Sequence, residues 1–320
     1  MDHPTVAILL ATYNPPIDWL CELLDSLNAQ TYPALRLYVR DDASTDGSPA
    51  QLEELLRTHI TAFPYVLNQN EKNLGSTATF DALVRDTVDE EYVAFCDQDD
   101  VWLPQKIENT LRLLRESPLS PTAVCTNVRV IDGNGGLLAD RMEEHRRRHV
   151  FLRGEGLAPA LIFRNFALGC TMVMERARVQ AYLPFPSALV HDHYLLFRAA
   201  LEGAIDVLAE PQMLYRVYGG NQTGVMAGVK TKEDYFVRRI EPFAKRLKAL
   251  QAYAELPALQ EAARWSNARV ANFHREKGSF RALWRLRSLH PSWSLFELFA
   301  LRFPNPLFRL AISLVQKGYL

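Results

Sequence analysis

Apolar runs of strand length alternate with stretches of helical spacing over the first hundred residues, and few folds accommodate that alternation. Val6-Ala7-Ile8-Leu9-Leu10 is a continuous apolar run, suited to a strand covered on both faces. Leu20, Leu23, Leu24 and Leu27 follow at helical spacing, and Leu35, Leu37 and Val39 then alternate with Arg36, Tyr38 and Arg40 as in a strand. Tyr92 to Cys96 reads as another apolar strand, and Pro104 is expected to open a helix carrying Ile107, Leu111 and Leu114. Strands alternating with helices imply βαβ units, so the expected class is α/β, with a mixed, mostly parallel sheet flanked by helices. The pattern is less regular from about 120 to 175, with a turn at Asp132-Gly133-Asn134-Gly135-Gly136, and His191 to Glu202 reads as a helix closed by Gly203.

After about residue 225 the strand pattern stops. One helix there is marked by Asn305 as N-cap, Pro306 at the first position, Lys317 in the last turn and Gly318 beyond. At about 18 Å it is too short to span a bilayer. Gly219, Gly220, Gly224 and Gly228 make 219–228 the best boundary, giving domains 1–225 and 226–320. Apolar residues at 48% and charged residues at 23% exclude disordered, collagenous and coiled-coil chains. Four cysteines without a close pair exclude a disulfide framework and a CxxC zinc site, and they fit a reducing compartment. With no basic n-region at Met1-Asp2-His3-Pro4 and no apolar run of membrane-spanning length, a cytoplasmic protein is expected.

The net charge of −1 conceals an asymmetry. Residues 230–320 carry 17 Lys+Arg against 7 Asp+Glu, whereas 1–229 carry 19 against 30. An acidic body suits a cation, and a basic tail suits an anionic surface. With Trp284, Trp293, Phe296, Phe299, Phe303 and Phe308, the tail reads either as an interfacial membrane segment through 280–317 or as helices packed on protein. No nucleic-acid partner is expected.

Ligands of open α/β sheets bind outside the carboxyl ends of the strands. Two acidic clusters fall there: Asp41-Asp42-Ala43-Ser44-Thr45-Asp46-Gly47-Ser48 and Asp97-Gln98-Asp99-Asp100. Between them, Asn73-Leu74-Gly75 opens a helix whose N-terminus suits an anion. Three carboxylates in four residues repel unless a cation sits among them, and Mg²⁺ or Mn²⁺ takes such oxygen ligands together with substrate phosphates. The other reading is a solvated acidic turn. His191-Asp192-His193 is a poor metal chelator, because alternate residues on a helix point apart.

Thr12-Tyr13-Asn14, the Asp41 to Ser48 run, Asn73-x-Gly75 and Asp97-x-Asp99-Asp100, in that order over roughly 5–225, resemble family 2 glycosyltransferases of the GT-A fold. Asp97-Gln98-Asp99-Asp100-Val101-Trp102 and Tyr215-Arg216-x-Tyr218-x-x-Asn221-Gln222-Thr223-Gly224 are similar to a bacterial rhamnosyltransferase-like subgroup, which usually has His where this chain has Tyr218. The resemblance implies that Thr12, Tyr13, Asp41, Asp42, Asn73 and Gly75 line the nucleotide-sugar site. It places Asp97 near ribose and metal, Asp99 on the metal, and Arg216 at the diphosphate. Gly169-Cys170-Thr171 is expected beside the acceptor, and Asp192 is expected to be the catalytic base of an inverting transfer.

The activity implied by this resemblance is that of a metal-dependent hexosyltransferase of bacterial surface-polysaccharide assembly (O-antigen or capsule type). Such an enzyme would use dTDP-rhamnose or another dTDP- or UDP-sugar, with a glycan or lipid-linked acceptor, and would sit peripherally at the cytoplasmic face of the inner membrane. Two alternatives from other classes are a non-catalytic nucleotide-binding scaffold and a nucleotidyltransferase. Retained metal carboxylates argue against the first. The absence of a Gly-rich phosphate loop after the first strand argues against the second.

Overall fold

The computed structural model describes residues 3–146, 149–218 and 228–316. Gly219, Gly220, the Asn221-Gln222-Thr223-Gly224 motif, Lys317 and Gly318 lie outside the described residues. The chain divides into two compact units, Met1–Tyr218 and Gly219–Leu320.

The first unit runs β1 (Val6–Thr12), α1 (Ile17–Asn28), β2 (Leu35–Asp41), α2 (Pro49–His59), β3 (Tyr65–Gln69), α3 (Ser76–Asp86) and β4 (Tyr92–Cys96). It continues through β5 (Val101–Trp102), α4 (Lys106–Glu116), β6 (Ala123–Ile131), β7 (Leu137–Ala139), α5 (Met142–His145) and α6 (Ala158–Phe163). It ends with β8 (Val173–Glu175), α7 (Arg176–Ala181), α8 (His191–Glu202) and β9 (Ile205–Arg216). One sheet has the order β3-β2-β1-β4-β8-β6-β9-β5, with β7 paired to β6. β3, β2, β1 and β4 are mutually parallel, as are β6 and β9, and β8 is antiparallel to its neighbours β4 and β6. The sheet is mostly parallel and helices flank it, as the alternation in sequence implies.

Register explains where the loops emerge. Thr12 pairs with Asp41 and Leu10 with Cys96, so β1, β2 and β4 end at one edge and release their loops side by side. Val6, Ile8 and Leu10 pack with Leu20, Leu23, Leu24 and Leu27 of α1 in a core that continues through Leu37 and Val39. β2 differs from a half-solvated strand, because Tyr38 is buried and donates its hydroxyl to Glu90 at 2.8 Å. α4 begins at Lys106 rather than at Pro104, which lies in the preceding turn, where the Lys106 N–H donates to Leu103 O.

In the second unit the described residues are helical: α9 (Lys232–Tyr235), a π turn over Phe236–Ile240, α10 (Glu241–Gln251), α11 (Pro257–Phe273), α12 (Ser279–Arg285), α13 (Pro291–Phe299) and α14 (Asn305–Gln316). Thr231 and Asp234 form a capping box at the start of α9. A fully buried Arg269–Glu297 ion pair, with the Tyr235 hydroxyl donating to Glu297 at 2.8 Å, ties α11 and α13 to the entry of the unit. No helix among the described residues is long and apolar enough to cross a membrane.

Candidate active site

The loops after β1 and β2 are laced together by short polar side chains. The Asn14 N–H donates to Ser44 Oγ at 2.8 Å, and Asn14 Oδ1 accepts from the Thr45 N–H at 2.8 Å. Asn14 and Ala43 both hold positive φ, 44° and 57°, a strained setting for residues other than glycine that these bonds maintain. Asp41 accepts from Thr12 Oγ1, from the Ser44 N–H and Oγ, and from Gln69 Nε2, so its four acceptor positions are filled. Asp42 accepts from Asn70 Nδ2 and from the Leu74 and Gly75 N–H groups, each at 2.8 Å, which leaves one acceptor position. Both carboxylates are buried. Tyr13 stands exposed at 43% on the same edge, and Asn73, also exposed, donates to Asp42 O. Gly75, at φ 82°, is the residue that turns this loop into α3.

The loop after β4 is joined to the first by Gln98, a side chain outside the set expected from sequence. Gln98 Oε1 accepts from the Tyr13 N–H at 2.7 Å and Gln98 Nε2 donates to Tyr13 O at 3.1 Å. Burial, reinforced by Asp99 and then Asp192, raises the Asp97 carboxyl to about 7. Burial raises Asp99 as well, opposed by a hydrogen bond from the Tyr218 phenol. Asp100 is raised well above the usual carboxylate range, by burial and then by Asp99 and Asp97. Tyr218 thus supplies a donor to Asp99, with its ring edge on Trp19 at 4.8 Å.

Arg216 is buried against this turn. Its N–H donates to Asp100 Oδ1 at 3.0 Å and its Nε to Asp99 O at 2.9 Å, and its guanidinium pairs with Glu22 over the Trp19 ring. Arg216 therefore clasps the acidic turn. Lys106, also outside the expected set, lies buried beneath it. Its ammonium donates to Cys170 O, sits 3.2 Å from the Trp102 ring centroid, and is lowered to about 8 by burial.

Cys170 belongs to the Gly169–Thr171 turn, and its thiol, with one proton to donate, lies against both Asp97 and Asp100. Potential ligand atoms of Asp97, Asp100 and Cys170 lie within 4.8 Å of one another, and Asp100 Oδ2 is a buried oxygen without a hydrogen-bond partner. The Cys170 thiol is pushed well up by burial, so it remains protonated and acts as a donor. Asp99, expected on the metal, is not part of this group; the two carboxylates that are, with their orphaned oxygen, offer hard-oxygen ligands that fit Mn²⁺ or Mg²⁺.

Asp192, in the first turn of α8, reaches this site from far along the chain. Burial raises its carboxyl to about 6, against hydrogen bonds from the His193 and Gly169 N–H groups and the Asn165 side chain. Its two histidine neighbours serve separate packing. His191 is held between Phe80 and Phe95 with ring centroids at 4.1 and 5.5 Å, and burial lowers it to about 3, so it is neutral. His193 Nε2 contacts Leu161 O. A β-carbon at Gly169 would lie 2.7 Å from His191 Nε2, so glycine permits the approach that brings its N–H to Asp192. The 169–171 turn, Asp97 and Asp192 therefore share one site.

Residues 7–176 match the family model for glycosyl transferase family 2, which is more than half of the chain. The chain belongs to that family. It is 30% identical over 214 residues to the uncharacterized protein Rv1520 of Mycobacterium tuberculosis, covering 66% of this chain and 58% of that protein. The chain thus spans less than two thirds of the length of that relative. It is 26% identical over 238 residues to the dTDP-rhamnosyl transferase RfbG of Shigella flexneri, covering 70% of this chain and 76% of RfbG. Its fold is similar to that of the mannosyltransferase PcManGT from Pyrobaculum calidifontis, solved with GDP-Man and Mn²⁺. The TM-score is 0.58 at 18% identity, over 99% of this chain and 87% of the other. Expected family and fold are both met.

Proposed function

We propose that the chain is an inverting, metal-dependent glycosyltransferase of bacterial surface-polysaccharide assembly. It moves one sugar from a nucleoside diphosphate, first dTDP-L-rhamnose, to a glycan or lipid-linked acceptor. The observation that carries this reading is the meeting of Asp192 with the strand-end carboxylates through the Gly169–Thr171 turn, whose Gly169 lies against Asp192 and whose Cys170 lies against Asp97 and Asp100. A donor-binding cluster and a separate raised carboxyl in one site are what displacement at an anomeric carbon requires.

In this reading Asp97 and Asp99 would hold the Mn²⁺ or Mg²⁺, with Asp100 Oδ2 as a further oxygen near Asp97. A divalent ion bound there supplies Lewis-acid stabilisation of the departing diphosphate. Thr12, Tyr13, Asn73 and Gly75 form the nucleoside side, shaped by Asp41 and Asp42, and only Asp42 has an acceptor position left for a base N–H. Arg216 holds the acidic turn in place. Asp192, a carboxylate above pH 6, takes the proton of the acceptor hydroxyl. The acceptor oxygen then bonds to the anomeric carbon from the face opposite the diphosphate, the sugar–phosphate bond breaks, and the configuration inverts. The Gly169–Thr171 turn orients the acceptor beside this base. A lipid-linked acceptor would place the protein peripherally at the cytoplasmic face of the inner membrane.

Incubation with a panel of dTDP-, UDP- and GDP-sugars and Mn²⁺ tests the reading. Slow release of dTDP or UDP from one sugar is expected, and release from dTDP-rhamnose selects the first donor over a UDP-hexose. No release from any member would remove the catalytic reading in favour of a nucleotide-binding scaffold.

A further inference from the structure

We propose that the outer face of α12, α13 and α14 is a docking surface for an anionic lipid bilayer. The proposal deepens the membrane location given above, but it stands on the second unit alone. Donor turnover and vesicle binding can therefore fail separately.

Each of the three helices buries one apolar face and leaves a second one in solvent. α12 turns Leu283 inward and presents Phe280 and Trp284 at i, i+4. α13 buries Leu298 and presents Leu295 and Phe299 at the same spacing. α14 buries Phe308, Ala311 and Ile312, while Leu307 and Leu310 are 51% and 56% exposed. The outward rings of α12 and α13 meet: Phe280 lies 6.4 Å from Trp284 and 6.4 Å from Phe299. An exposed apolar cluster of this kind marks an interaction site rather than ordinary surface.

The charges around it identify the partner. Lys277, Arg281, Arg285, Arg287, Arg302 and Arg309 are all exposed. Between Lys277 and Gln316 the sequence has one carboxylate, Glu297, and it is buried on Arg269. Two of the arginines sit on the apolar rings themselves, Arg287 at 4.4 Å over Trp284 and Arg302 at 4.7 Å over Phe280. Exposed arginines, two of them with guanidinium heads laid on the outward rings and the others unpaired with any carboxylate in this stretch, beside outward Trp, Phe and Leu, form an interfacial segment attracted to anionic headgroups. A second copy of the chain is disfavoured, because a two-fold contact would face this basic surface with itself. Nucleic acid would match the charge but would leave Leu295, Leu307 and Leu310 without apolar cover.

The test uses the full chain with phosphatidylcholine vesicles, with and without phosphatidylglycerol, read by sedimentation and tryptophan fluorescence. The protein is expected to pellet with the anionic vesicles only, less so as salt rises, with a blue shift of its emission. Trp284→Phe should keep binding and lose most of the blue shift. The double variant Arg281→Gln/Arg285→Gln should weaken partitioning by roughly 25-fold, from about fivefold per charge. Phe299→Ser with Leu310→Ser should lower binding while the far-UV spectrum and donor hydrolysis stay as in the parent. The proposal is overturned if the parent stays in the supernatant with anionic vesicles, or if these variants bind as the parent does. It is also overturned if the Ser variant instead abolishes self-association or binding of a DNA or RNA probe while leaving vesicle binding intact.

Discussion

Replacing Asp192 by Asn separates the chemistry at that position from its structural work. The carboxylate accepts from two backbone N–H groups, of His193 and Gly169, and from the Asn165 side chain. An amide oxygen satisfies two of these and turns an NH₂ toward the third, which costs about 1–3 kcal/mol. Against that, burial raises the carboxyl from 3.8 to about 6. At neutral pH its charged form is therefore penalised by roughly 3 kcal/mol that an amide does not carry. The two effects offset to within about 2 kcal/mol, so the melting temperature should move by only a few degrees. Because the folded pKa is raised, the wild-type carboxyl favours folding below pH 3.8 and loses that contribution as pH rises through about 6. The variant's stability should lack this dependence. Donor hydrolysis, with water as acceptor, should fall by 10²–10⁴, on the order expected for losing a positioned base. The wild-type rate should rise with pH through about 6 as the base loses its proton, and the residual rate of the variant should not. Metal-dependent nucleotide binding should survive. Near-normal hydrolysis with an unchanged pH profile would refute the argument, since the proton would then go elsewhere.

Gly169→Ala would drive a β-carbon to within 2.7 Å of an imidazole already enclosed by Phe80 and Phe95. A loss of about 1–3 kcal/mol in denaturant unfolding is expected, together with a rate–pH limb moved upward as Asp192 loses a donor. Glu297→Gln leaves Arg269 buried without its counter-charge and should cost about 3–5 kcal/mol, measured in the same way; a loss below about 1 kcal/mol would contradict the assigned burial. Lys106→Met removes the cation beneath Asp97 and Asp100. Titrations at two pH values should show Mn²⁺ affinity falling more at the lower pH, where the carboxyls hold their protons; an equal fall at both would place Lys106 outside the electrostatics of the cluster.

Local pattern carries much of the fold. β1, β4 and α8 are legible because each is a continuous apolar run or a helix with a clear end; the carboxylates after β4 stand out in sequence as an acidic strand end, whereas the role expected of Asp192 comes from the family resemblance. β9 is not legible: Pro211 and the polar Glu210 and Gln212 interrupt it, and its pairing with β6 and β5 is decided by tertiary contact. Tyr38 reads as solvent-facing by period, yet its hydroxyl is satisfied by Glu90, a partner distant in sequence. Lys106 and Gln98 act through partners at Cys170 and Tyr13, which no spacing rule connects to them. The donors that occupy Asp41 and Asp42 are hidden for the same reason.

The claim that the end of β4 holds a nucleoside diphosphate through a divalent ion is open to one titration. Calorimetry of dTDP and of UDP into the full chain, with Mn²⁺ and then with EDTA, should show binding in the first case and its loss in the second. Asp99→Ala should behave with Mn²⁺ as the parent does in EDTA. Equal binding in chelator, or a parent-like response of Asp99→Ala, would contradict the metal's place in the site.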